Sequence, residues 1–91
     1  MEPQQGATYH VEISAKAHAD FEGLDSEALW AIHRALDALE TDPQPPGARR
    51  RTAPGHYSLD VGLHRILYTV DEEPHLITIQ RIRAHPPQRN R

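Results

Sequence analysis

Apolar residues recur along the chain with two different periods. Tyr9 to Ile13 alternates as Tyr-His-Val-Glu-Ile, the period of a half-buried strand, and turns Tyr9, Val11 and Ile13 inward. Ser14 then has the chemistry of a helix N-cap, and Ala17, Phe21 and Leu24 follow at i, i+4 and i+7 of a short helix whose end Gly23 marks. Ser26 is read as the next N-cap, with Glu27 in the first turn where a carboxylate suits the helix dipole. Leu29, Ile32, Leu36 and Leu39 form the apolar stripe of this second helix, beside Ala28 and Ala35. It must stop before Thr41-Asp42-Pro43, because proline disfavours the α conformation in the residue preceding it. Pro43, Pro45, Pro46 and Gly47 predict a stiff loop, which continues through Arg49-Arg50-Arg51 to Gly55. Three β-type runs close the pattern: Tyr57 to Val61, Leu63 to Val70 and Leu76 to Arg83, joined at Gly62 and at Asp71 to Pro74. The predicted fold is α+β, in the order β-α-α-β-β-β, with two helices on one face of a small, mainly antiparallel sheet.

Size limits what such a pattern can stabilise. The 91 residues suit one domain, residues 1–91, with its core in about 9–85. Only eighteen residues are Leu, Ile, Val or Phe, and eleven of the apolar residues are alanine. That core is thin, and the folded state is expected to lie only about 5 to 13 kcal/mol below the unfolded one. A thin core and an exposed sheet edge leave surface for a partner to cover. No apolar run approaches the roughly 18 residues that span a bilayer, and Met1 to Thr8 lacks the basic-then-apolar layout of a signal peptide. A cytoplasmic protein with no membrane partner is expected. Cysteine is absent, which excludes disulfides and thiolate zinc sites. His10, His18, His33 and His75 fall at no metal-ligand spacing, so neither a metal nor another cofactor is expected.

The net charge of −3 conceals a division. Residues 1–42 carry two bases and nine acids; residues 43–91 carry eight arginines, no lysine and four acids. Arginine's planar fork matches phosphate geometry, so the second part has the composition of an anion-binding surface.

The chain resembles the RelE/ParE family of toxins from bacterial type II toxin-antitoxin systems. Tyr9-His10-Val11-Glu12-Ile13-Ser14 is similar to the opening strand and capped helix of that family. Its strand pair, roughly Tyr-Arg-Leu-Arg-Val-Gly-Asp-Tyr-Arg-Val-Ile-Tyr, corresponds to Tyr57-Ser58-Leu59-Asp60-Val61-Gly62-Leu63-His64-Arg65-Ile66-Leu67-Tyr68. Ile77-Thr78-Ile79-Gln80-Arg81-Ile82-Arg83-Ala84-His85 resembles the closing Arg-Ile-x-His-Arg segment. The resemblance implies a ribosome-dependent mRNA endoribonuclease that inhibits translation, is neutralised by a cognate antitoxin, and meets operator DNA only through that antitoxin. A ParE-like inhibitor of DNA gyrase that binds without catalysis is the alternative, and a decayed toxin that retains antitoxin binding is another. RNA-cleaving members usually carry bases where this chain has Ser58 and Asp60, and follow the closing His with Arg and then Tyr; here Pro86 follows His85, and no tyrosine comes after Tyr68.

Metal-free RNA cleavage requires a base for the 2′-OH, a cation for the phosphorus oxygens and an acid for the leaving 5′-oxygen. By the resemblance Arg65 takes the cation role, with His85 as acid or base and Arg81 completing the catalytic set. Arg83 and the run Arg49, Arg50, Arg51 are candidates for gripping RNA phosphates. Each has a plainer alternative: a cross-hairpin salt bridge from Arg65 to Asp60, an exposed tail position for His85, and a solvated loop for the arginine run. His64 alternates with Arg65 and must face the other side of its strand. Trp30, beside the helix stripe, either packs in the core or anchors the antitoxin. If the arginines form one polyanion surface while the acidic helices turn elsewhere, Arg65 and Arg81 must share a face. Neither must then be neutralised inside its own chain, the acids near them being supplied by the antitoxin.

Overall fold

The fold is that of a computed structural model in which residues 8–84 are described; His85 and the polar tail behind it lie outside the described residues. The elements run β1 (His10–Ile13), α1 (Ala15–Phe21), α2 (Ser26–Leu39), β2 (Arg49–Arg50), β3 (His56–Val61), β4 (His64–Asp71) and β5 (Leu76–Ala84). They form one five-stranded sheet in the order β1-β5-β4-β3-β2. Only the β1–β5 pair is parallel; the other three pairs are antiparallel. The predicted α+β layers are present, with one addition: Arg49 and Arg50, expected in the loop, form a short edge strand opposite Ser58 and Tyr57.

Local chemistry explains the boundaries. Ser14 caps α1 as expected, its Oγ accepting the Ala17 N–H at 3.1 Å. Capping of α2 falls one residue earlier than predicted. Asp25 is extended, at φ −77° and ψ 172°, and its carboxylate accepts the Ala28 N–H at 2.8 Å, so Ser26 is the first helical residue. Gly62 has φ +60° in the two-residue connection between β3 and β4, where only the first central residue takes a positive φ.

The core lies between the helices and one face of the sheet. Ile32, Leu36 and Leu39 of α2 and Ala17 of α1 meet Leu59, Ile66, Tyr68, Val70, Ile77, Ile79 and Ile82. Tyr68 is buried, stacks on Tyr57 with ring centres 5.7 Å apart, and donates its hydroxyl proton to the Pro43 carbonyl at 2.7 Å. That bond ties the proline loop to the sheet. Burial, with the nearby Tyr57 and Asp42, pushes the Tyr68 phenol up to about 12.

A bulge in the β4–β5 ladder sets the direction of the arginines. Leu67 faces Arg81 while Tyr68 faces Ile79, which leaves Gln80 unpaired in the ladder. Ile77, Ile79 and Ile82 therefore all point inward, although simple alternation from Ile79 would have turned Arg81 into the core. Among the described residues no helix is long and apolar enough to cross a membrane.

Candidate functional site

Residues directly opposite in a ladder share a face of the sheet. One row across the outer face runs Arg49, Ser58, Leu67, Arg81; the next runs Asp60, Arg65, Arg83. Arg65 and Arg81 therefore share a face, as expected, and Arg83 and Arg49 lie on it as well, turned away from the helices. His64 lies on the other side, as its alternation with Arg65 required. The face continues past Leu67 through His56, Thr69 and Thr78 to Glu12 and His10, so the arginines occupy one end of it. Arg49, Arg50, Arg51, Thr52, Ser58 and Arg65 line an open concavity of about 350 Å³ at that end.

The expectation that a partner supplies the acids at Arg65 and Arg81 is corrected by the structure. Arg65 donates from Nε to Asp60 Oδ1 at 2.7 Å and from Nη2 to Oδ2 at 3.3 Å, the cross-hairpin alternative. Both side chains are a third or more exposed, so water and salt screen the pair. Arg81 donates to Asp20 of α1 through Nε at 2.9 Å and Nη2 at 3.2 Å. Asp20, in the acidic N-terminal part, thus meets this cation from α1, so that part does not turn wholly away from the arginine face. The Asp20 carboxylate also accepts the Ile82 N–H at 2.9 Å. The bonds from Arg81 hold Asp20 below the usual carboxylate range, against the opposing effect of desolvation. Carboxylate bonds in turn raise the Arg65 and Arg81 guanidinium groups above their ordinary value.

The remaining candidates separate. Arg49, Arg50, Arg51 and Arg83 have no carboxylate at ion-pair distance among the described residues. Arg83 stands directly opposite Arg65, and like charges across a ladder concentrate positive potential there. Trp30 does not pack in the core; it is 69% exposed on α2, as an interface anchor requires. The described part of the arginine end has two cations paired within the chain and four, Arg49, Arg50, Arg51 and Arg83, with no carboxylate at ion-pair distance among the described residues. His56, two positions from Ser58 on the same face, lines a second concavity with Arg50 and Arg51.

The sequence profile described as the ParE toxin of the type II toxin-antitoxin system parDE matches residues 11–86. The chain belongs to the ParE toxin family. It is the toxin of a type II toxin-antitoxin system. Among curated proteins none matches the chain. Several solved structures share the toxin's fold. The archaeal RelE–RelB complex from Pyrococcus horikoshii OT3 superposes with a TM-score of 0.81 at 21% identity, covering 89% of this chain and 99% of the matched one. The RelBE2 complex from Mycobacterium tuberculosis gives 0.76 at 23% identity, over 86% and 99%. The isolated E. coli RelE toxin gives 0.78 at 16% identity, over 88% and 87%. At these identities the likeness shows the fold of this ParE-family toxin.

Asp20 is the residue beside the candidate site that sequence reasoning missed. Its partners lie 61 and 62 positions away, and no local pattern connects them.

Proposed function

We propose that this ParE-family toxin is silenced by a cognate antitoxin and, when released, cuts mRNA on the ribosome without a metal, inhibiting translation. The observation that carries the reading is the gathering of Arg49, Arg65, Arg81 and Arg83 on one open sheet face. The fold shared with RelE and YoeB toxins supports it. In this reading Arg65 and Arg81 stabilise charge on the phosphorus oxygens, His85 supplies the acid or base, and Arg83 with Arg49, Arg50 and Arg51 holds the strand. Trp30 anchors the antitoxin, and the RelE–RelB and RelBE complexes among the structural neighbours support such a partner. The acting compartment is then the cytoplasm.

A second reading, inhibition of DNA gyrase by binding alone, is favoured by one observation. Both central guanidinium groups are held by carboxylates of the same chain. Mapping transcript ends in cells that express the chain, with and without Arg65→Ala, separates the two. Codon-linked cuts that fall at least tenfold with Arg65→Ala support cleavage. A DNA-damage response with intact transcripts supports gyrase binding, and unaltered growth leaves antitoxin binding as the retained activity.

A further inference from the structure

We propose that Asp60 is a built-in competitor for the phosphate seat on Arg65, so that the face accepts the linked phosphates of a single RNA strand and turns away isolated ones. The inference rests on the reading of the outer face as an RNA surface. Register alone places the carboxylate: Asp60 and Arg65 stand directly opposite across the β3–β4 hairpin. Two carboxylate oxygens take the Nε and Nη2 protons of Arg65, the same edge that two oxygens of a phosphate would engage. One acceptor must leave for the other to bind.

Exchange at this position needs no unfolding. Arg65 and Asp60 keep 40% and 36% of their side-chain surface exposed. The pair at Arg81 differs: Asp20 is only 17% exposed and also holds the Ile82 N–H, which makes it a tie between α1 and β5. A tethered carboxylate has a high effective concentration, so one free phosphate displaces it poorly. Adjacent phosphates on a strand have a second source of binding, because Arg49, Arg50 and Arg51 line the same concavity as Arg65. Arg83, opposite Arg65 on the other side, adds to the attraction.

The test uses the purified full chain and a short, fluorescently labelled 2′-O-methyl oligouridylate, which cleavage through the 2′-OH cannot consume. Asp60→Asn should bind this strand about five- to tenfold more tightly at low salt. Adding Arg65→Ala to Asp60→Asn should remove that gain. In the unaltered chain the Arg65 Nε–H resonance should move as the strand is added; this arm holds even if the variants fold poorly. Equal affinity for the unaltered chain and Asp60→Asn, or a stationary Arg65 resonance in a chain that binds, overturn the competitor role alone. Absence of binding by every form overturns the RNA face and the role of Asp60 together.

Discussion

The two faces of the sheet are made from alternate residues of the same strands, yet they answer to different physics. On the helix side Leu59, Ile66, Tyr68 and Ile82 are closed off from water, and their contribution grows with the area buried. Outside, Asp60, Arg65, Arg81 and Arg83 keep contact with solvent, and pairing there exchanges one hydrated partner for another. The inner face therefore decides whether the chain folds. In the proposed function the outer face decides what the folded chain binds. Each can be altered with little effect on the other, and the following substitutions test that separation in descending order of effect on stability.

Ile66→Ala removes a fully buried side chain from the central strand and should cost about 2 to 5 kcal/mol in denaturant unfolding. For a domain held by roughly 5 to 13 kcal/mol that is a large share; a loss under about 1 kcal/mol would mean that the inner face is not the source of stability. Tyr68→Phe keeps the ring but leaves the Pro43 carbonyl without its donor, and should cost about 1 to 3 kcal/mol. In the unaltered chain the Tyr68 phenol, pushed up to about 12, should stay protonated in ultraviolet titration at pH values where an exposed tyrosine has ionised.

Asp20→Ala lies between the faces, because it frees an outer cation and breaks a backbone bond. A loss of about 1 kcal/mol is expected from the Ile82 hydrogen bond. The corresponding pH effect has a definite sign. Asp20 is held below its ordinary value of 3.8, so its contribution is fully present above that value and is lost as pH falls through the lower, folded-state value. Acid unfolding of Asp20→Ala should therefore show a smaller loss of stability over that range than the unaltered chain. Smallest of all should be Trp30→Ala. With its ring 69% exposed, stability should change by less than about 0.5 kcal/mol, while affinity for the antitoxin falls about tenfold or more by calorimetry. A destabilised Trp30→Ala chain with unchanged affinity would reverse the assignment of that residue.

What could be read in advance follows from how local each cause is. The α2 stripe of Ile32, Leu36 and Leu39, the Ser14 cap and the alternation of β1 depend on neighbours within a few positions, and all are in the structure. Asp25 was displaced by Ser26 in the reading because both are good caps and stand side by side; only the extended backbone of Asp25 distinguishes them. Strand β2 exists because β3 offers it an edge, so nothing in the pair Arg49-Arg50 announces it. The bulge did leave a mark, the three-residue step from Ile79 to Ile82, which breaks the two-residue period of the strand. In the candidate site the Asp60–Arg65 pair was legible from the hairpin. The Asp20–Arg81 pair was not, because chain topology alone brings α1 beside the far end of β5.

That far end has one more consequence. Strand β5 pairs with β1 only through Ile79, and among the described residues its remaining length has no strand on that side. Instead the Ser14 amide and hydroxyl donate to the Ile79 and Gln80 carbonyls, and Asp20 accepts from the Ile82 amide. A helix entrance thus answers the backbone groups that would otherwise template a foreign chain. The protein can keep its arginine face open and still resist self-association along this margin.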